Sequence, residues 1–380
     1  MKIFERSIQK NIEKLMFKKN IIVIYGPRQA GKTTLSQTLI QSYGSKSQYF
    51  DCQEESTRKC FVVGDPDKLL ALVKGKKIVV FDEAQTIINI GTILKVFHDK
   101  YKDLNIQIIA TGSSSFDLAN KIVEPMTGRA YEFYLLPLSI TEIKSTNIKI
   151  NSKNLNDFML YGSYPEIVAS SGDDMKKLAI KKIATNYLYK DIFILESIKN
   201  PKSFEDILKM LAMQIGNTVS TAEIARSVGI SRTTVDKYIR LLEQSFIVKR
   251  VYSFSNNPRT ELKKSYKVYF IDLGVRNVIV DILEDIDKRE DKGAIFENFI
   301  FTEILKREQV KIFPNEIYFW RTKQGLEIDF IEKEGSSLYA TEVKYSGDTD
   351  YKFTKFLKEY GEKVKSTKVV SVKSIVEDNK

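Results

Sequence analysis

A lysine and a threonine close the segment Gly26-Pro-Arg-Gln-Ala-Gly31-Lys32-Thr33-Thr34, which follows the apolar run Ile21–Tyr25. Each residue type in it has a task in handling phosphate. Glycines at 26 and 31 let the backbone wrap until its N–H groups converge on phosphate oxygens. Lys32 neutralises β- and γ-phosphate charge, and the Thr33 hydroxyl is placed to ligate Mg²⁺. A helix beginning near Lys32 and including Thr34 adds the positive end of its dipole. The chemistry is nucleoside-triphosphate binding by a strand, a phosphate-cradling loop and a helix.

A second apolar run, Lys77–Phe81, ends in Asp82-Glu83. An acidic pair at a buried strand tip completes such a loop: Asp82 holds Mg²⁺ through water and Glu83 polarises the attacking water. A third run, Asn105–Ala110, ends in Thr111-Gly-Ser113. Thr111 or Ser113 is placed to sense the γ-phosphate, and a small-residue turn is the plain alternative. A fourth strand spans about 131–135. Strands alternating with helical stretches predict an α/β fold, a parallel P-loop sheet with helices on both faces.

Towards the C-terminus, three strand-like runs, Ile317–Arg321, Leu326–Ile331 and Leu338–Lys344, are joined by turns at Gly325 and Gly335, as antiparallel hairpins require. Alternation puts Glu327 and Asp329 on one face of their strand, and Glu342 and Lys344 on one face of theirs. Glu297 lies in the apolar helical stretch Gly293–Leu305, on the side of Phe301 and Ile304. A buried carboxylate there needs a partner or a metal.

Between these regions, Ser220 to Leu242 reads as a helix-turn-helix. Ser220 and Glu223 suit a capping box, Gly229 a sharp turn, and Ser231 the cap of a second helix. Val235, Ile239 and Leu242 form that helix's buried stripe. Its other face carries Ser231, Arg232, Thr233, Lys237 and Arg240, types suited to a phosphate backbone or a major groove. The runs Ile247–Phe254 and Lys267–Ile271 would supply a wing hairpin. Contact with DNA and a packing role both remain open for this element.

The combination G-P-R-Q-x-G-K-T-T, D-E-x-Q and A-T-G-S-S, then Gly128-Arg129 leading to Leu136–Glu142, resembles the AAA-type ATPases of bacteria and archaea. More narrowly, it resembles the group that carries a nuclease-like C-terminal domain, over nearly the whole chain. The resemblance implies ATP rather than GTP, and an arginine on the γ-phosphate, Arg129 first and Arg28 second. An arginine acting between subunits would need a homo-oligomeric ring or dimer. The stretches Asp157–Val168, with Tyr164, and Asn186–Phe193 resemble that family's helical lid. The carboxylates and Lys344 resemble the PD-(D/E)XK nucleases. That implies an α+β restriction-endonuclease-like domain in which Asp329 and Glu342 ligate Mg²⁺ or Mn²⁺, Glu297 assists, and Lys344 orients or deprotonates the attacking water. No proline precedes Asp329's strand position as in that pattern, and active and binding-only members both remain open.

These readings divide the chain into an ATPase domain (1–145), a helical lid (146–202), a winged helix (203–271) and a nuclease-like domain (272–380). The net charge of +11 suits an acidic partner such as DNA, although lysines are spread along the whole chain. No apolar run reaches the ~20 residues of a membrane span. The N-terminus lacks a signal-peptide pattern, so a cytoplasmic location is expected. The two cysteines and single histidine exclude a zinc or disulfide framework. The expected function is Mg–ATP hydrolysis acting on DNA, with metal-dependent cleavage by the C-terminal domain. The alternative is an ATP-regulated DNA-binding or protein-remodelling switch with an inert nuclease-like domain.

Overall fold

Strands rich in Ile and Val that are apolar on both sides must be covered on both faces, which favours parallel pairing. The computed structural model, which describes residues 3–61, 66–101, 104–113, 127–185, 198, 200–255, 265–346 and 353–377, has this arrangement in its N-terminal part. Ser114, Ser115 and the stretch 186–193 lie outside the described residues. The chain divides into two compact units: 1–138 with 244–246 and 309–312, and 139–243 with 247–308 and 313–380.

The first unit is built on β1 (Ile21–Tyr25), β2 (Ser47–Asp51), β3 (Ile78–Asp82), β4 (Gln107–Gly112) and β5 (Ala130–Tyr134). They pair in the order β2-β3-β4-β1-β5, all parallel. One face packs Ile22, Ile24, Val80 and Ile109 against Ile12 and Leu35 of the helices Gln9–Leu15 and Lys32–Gln41. On the other, Phe81 meets Phe97 of the helix Ile90–Tyr101 at 5.9 Å between ring centroids. Parallel pairing brings the C-terminal ends of β1, β3 and β4 to one edge, where ligands of such sheets bind. The edge strand β2 was not anticipated, because Ser47–Asp51 is polar and only half-buried.

Gly26 leaves β1 under the chain after β5. A Cβ at residue 26 would stand 2.1 Å from the Leu135 carbonyl oxygen, so only glycine fits. From behind the loop, the buried Arg6 donates to the carbonyls of Ala30 and Leu136, each at 2.6 Å. Arg6 therefore ties the phosphate loop to the end of β5. Truncation would leave two buried carbonyls unsatisfied. We expect Arg6→Ala to cost about 3 kcal/mol, read as a lower thermal midpoint together with weaker nucleotide binding.

In the second unit the helix-turn-helix is present as Thr221–Val228 and Arg232–Gln244. Gly229 closes the first helix at φ 72°, and the Ser231 hydroxyl accepts from the Thr234 amide at 3.1 Å. Val235, Ile239 and Leu242 are fully buried. Only half of the expected capping box at Ser220 forms: its hydroxyl accepts from the Glu223 amide at 3.3 Å, and Glu223 is exposed. The reciprocal box is made instead by Ser139 and Glu142.

The expected wing hairpin forms as β6 (Val248–Ser253) against β7 (Tyr266–Phe270). It does not end there. Tyr252 and Ser253 pair in parallel with Tyr318 and Phe319 of β8 (Glu316–Arg321), so the hairpin is the edge of a larger sheet. With β9 (Glu327–Glu334), β10 (Ser337–Lys344) and β11 (Val364–Ser371), the order is β11-β10-β9-β8-β6-β7. The β8–β9 and β9–β10 pairs are antiparallel, with Gly325 and Gly335 at positive φ in their turns. The helix Lys292–Val310 carries Glu297. The unit is thus a helical region followed by a mixed α+β sheet.

Candidate functional site

The loop after β1 takes left-handed backbone at Gln29 (φ 62°) and Gly31 (φ 98°). Gly31 is the N-cap of the helix Lys32–Gln41 and offers no side-chain acceptor, so the first-turn N–H groups stay open to an anion. Thr33 and Thr34 are exposed in that turn. Lys32 is buried, and its ammonium donates to the carbonyls of Gly26 and Pro27, both at 3.0 Å. It stands 3.6 Å from the Glu83 carboxylate. Burial pulls the Lys32 ammonium below its ordinary value, and Glu83 and Asp82 oppose that pull.

Asp82 at the tip of β3 accepts from the Thr33 hydroxyl at 2.7 Å and from the Tyr49 phenol at 2.6 Å. Its other oxygen accepts from the Thr111 hydroxyl. The pairing of Asp82 with Thr33 sets two hard oxygens side by side at the phosphate loop, a donor set that suits Mg²⁺ completed by waters and phosphate. Burial and Asp82 together keep the Tyr49 phenol protonated far above its usual range. Tyr49 lies on β2, which explains why its role was not visible in the sequence.

Glu83 sits at φ 51°, a left-handed conformation that costs a non-glycine residue roughly 1 kcal/mol or more. Its amide donates to Thr111 Oγ1 at 3.1 Å, and its carboxylate accepts from Gln85 Nε2 at 2.6 Å. The same Gln85 nitrogen reaches Ser113 Oγ at 3.1 Å. The turned backbone and Gln85 hold the carboxylate beside Lys32. Gln85 belongs to the D-E-x-Q pattern, the one signal that could have marked it.

Two expectations are corrected. Thr111 is fully buried and its single hydroxyl proton is given to Asp82, so it has none left for a γ-phosphate; it positions Asp82 and Glu83 instead. Arg129 lies at the wrong end of the sheet. Its carbonyl accepts from the Ile21 amide at the start of β1, whereas the phosphate loop leaves the far end, about 16 Å away at 3.3 Å per residue. Arg129 pairs with Asp99 at 2.9 Å and does not reach the nucleotide of its own chain. Arg28, half-buried in the loop, is close enough to Lys32 to repel its charge.

Ser231, Arg232, Thr233, Lys237 and Arg240 are all exposed. Tyr164 is buried.

The C-terminal carboxylates do come together, but with a partner the sequence did not suggest. Lys267 of β7 is 1% exposed and pairs with Glu297 at 2.9 Å and with Glu327. The Tyr269 phenol also donates to Glu297, at 2.5 Å. Asp329 accepts from the Val343 amide at 2.8 Å, and Glu342 from Lys344 at 2.6 Å. Burial, with the nearby Glu297 and Glu342, pushes the Asp329 carboxyl up to about 8. Glu327 has a second cation, Arg321, at 3.6 Å. Glu297 is therefore already neutralised, and the expected metal set Glu297, Asp329 and Glu342 is not assembled: among the described residues no three metal-ligating side chains form such a group. The residues do not fit the divalent cation that the nuclease resemblance implied.

Two substitutions test the nucleotide site. Lys32→Ala should weaken ATP binding by about 3 kcal/mol, more than a hundredfold in Kd by calorimetry. Glu83→Gln should slow hydrolysis by roughly 10²–10⁴-fold while ATP still binds, since it removes the proton acceptor, and the bound phosphates replace the anion it takes from Lys32.

Residues 18–144 match the family model of an AAA domain. Residues 152–285 and 292–378 match two domains of unknown function, DUF8612 and DUF4143. The chain is 28% identical over 346 residues to the uncharacterized protein MJ1544 of Methanocaldococcus jannaschii, covering 85% of this chain and 74% of that one. It is 26% identical over 348 residues to the uncharacterized protein Rv2008c of Mycobacterium tuberculosis, covering 90% and 74%. Among solved structures it is similar to the Aeropyrum pernix ORC1 protein in complex with DNA, at 12% identity and a TM-score of 0.33, over 74% of this chain and 93% of that one. Among the described residues no helix is long and apolar enough to cross a membrane. Residues 18–144 are an AAA-type P-loop ATPase domain, and two domains of unknown function follow it.

Proposed function

We propose that this protein is an ATP-regulated DNA-binding switch, in which ATP hydrolysis at the phosphate loop controls DNA contact by the helix-turn-helix. The nuclease-like domain in this reading binds or scaffolds and does not cleave. The observation that carries the proposal is the state of the basic helix face. Arg232, Lys237 and Arg240 of the second helix are exposed and make no ion pair among the described residues. Arg232, Lys237 and Arg240 stand together on the exposed side of one helix, opposite its buried stripe of Val235, Ile239 and Leu242. An unpaired basic stripe on the second helix suits a polyphosphate backbone.

In the ATPase domain, backbone N–H groups of the loop and Lys32 bind the β- and γ-phosphates. Thr33 and Asp82 would hold Mg²⁺, which neutralises charge on the phosphate oxygens when bound. Glu83 accepts a proton from the attacking water, and Gln85 keeps its carboxylate aimed. A γ-phosphate arginine would come from Arg28 within the chain, or from Arg129 of another copy in a homo-oligomer.

Fluorescence anisotropy on duplex DNA across a salt series, with and without ATP, tests the proposal. Affinity should fall steeply with salt, and Arg232→Ala and Lys237→Ala should each lower the slope by about 1. The affinity should differ between the ATP-bound and nucleotide-free states, a difference Lys32→Ala removes. Supercoiled plasmid in Mg²⁺ or Mn²⁺ should stay intact. DNA affinity that is absent in both nucleotide states would turn the reading to protein remodelling, and cleavage lost in Lys344→Ala would turn it to a nuclease.

A further inference from the structure

A lysine almost without solvent exposure is held only where anions meet it from several sides, because burying an unpaired ammonium is strongly unfavourable. Lys267 meets that condition within a cluster of carboxylates drawn from two different elements. Glu297 comes from the helix Lys292–Val310, while Glu327 and Asp329 come from β9, and the ammonium pairs with Glu297 at 2.9 Å and with Glu327. It also lies 5.5 Å from the centre of the Phe319 ring, whose π face favours a cation. Tyr269, two residues along the same strand, donates to the Glu297 oxygen that Lys267 holds. Gly216 closes the far side, where even a Cβ would come within 3.2 Å of the other Glu297 oxygen.

This is the geometry of a bound cation with the cation supplied by the chain. A divalent ion in a carboxylate cluster needs several oxygens converging on one point. Here Glu297 is turned to Lys267 and Tyr269, and one Glu342 oxygen is taken by Lys344. The second Glu342 oxygen is buried without a hydrogen-bond partner. We propose that Lys267 is the resident counter-ion of this cluster, standing where a divalent cation would otherwise be required, so that the natural protein takes up no such ion there. The lock also ties β7, the strand leading back from the helix-turn-helix, to β9 and the long helix.

The inference does not depend on DNA binding and survives its failure; a metal-bound wild type would sink the inference and revive cleavage, whatever the DNA affinity. Mn²⁺ binding to the nucleotide-free full chain, followed by the loss of the free-ion electron paramagnetic resonance signal, tests it. Wild type and Asp329→Asn should behave alike up to millimolar Mn²⁺. Binding by the wild type that Asp329→Asn abolishes would overturn the proposal. Lys267→Met removes the ammonium at similar length. It should raise Mn²⁺ affinity by about tenfold or more, a gain cancelled by adding Asp329→Asn. A folded Lys267→Met protein that binds Mn²⁺ no better than wild type would also overturn it. Should that variant not fold, the comparison of wild type with Asp329→Asn decides by itself.

Discussion

The ammonium of Lys32 is 4% exposed, and the nucleotide unit is arranged around making that tolerable. A buried charge demands anions and carbonyls at fixed distances. The loop bends through two left-handed residues to bring the Gly26 and Pro27 carbonyls to it. Glu83 accepts an unfavourable backbone conformation to stand opposite it, and Gln85 and Thr111 hold Glu83 in that conformation. These supports reach back to strand order, since only the parallel pairing of β3 with β4 sets Thr111 beside Asp82. What looks like a short motif is a network that takes in β1, β2, β3 and β4.

The second unit meets the same electrostatic demand in reverse. There the carboxylates are buried or half-buried, and the chain supplies a fully buried cation from a strand remote in sequence. Breaking one member of such a set leaves an uncompensated charge, whereas the intact set contributes modestly to stability. Arrangements of this kind specify which strand lies where, because an alternative register strands a charge in the core. The same logic separates Lys267 from Lys344, whose side chain is 41% exposed and which can exchange its partner for water.

Much of this was legible in the residues. The phosphate loop, the acidic strand tip, the helix-turn-helix stripe and the three C-terminal strands each rest on short-range pattern and formed close to expectation, the second C-terminal strand running three residues further, to Glu334. What failed to show depends on contacts across long separations. Tyr49 reads as an aromatic residue in a polar stretch until β2 is paired with β3. Arg129 follows a glycine near a strand, as a catalytic arginine would; only the register of β5 against β1 puts it at the far end of the sheet. The Lys267–Glu297 pair spans thirty residues, and nothing in the alternation of β7 distinguishes an inward lysine from a solvated one. The half-formed box at Ser220 is a smaller case: the spacing permits the second bond and the exposed glutamate does not make it.

The short parallel pairing of Tyr252 and Ser253 with Tyr318 and Phe319 has a further meaning for how this chain can be divided. It welds the hairpin after the helix-turn-helix into the sheet that carries the carboxylates. A chain ended after residue 271 would strip Tyr252 and Ser253 of their partners on β8 and leave β6 at an open edge, a place prone to pair with another molecule. A chain begun there would lose Lys267 and leave Glu297 and Glu327 without their shared cation. The boundary between the two regions of unknown function therefore runs through a single sheet and a single cluster of charges, so a cut there divides both.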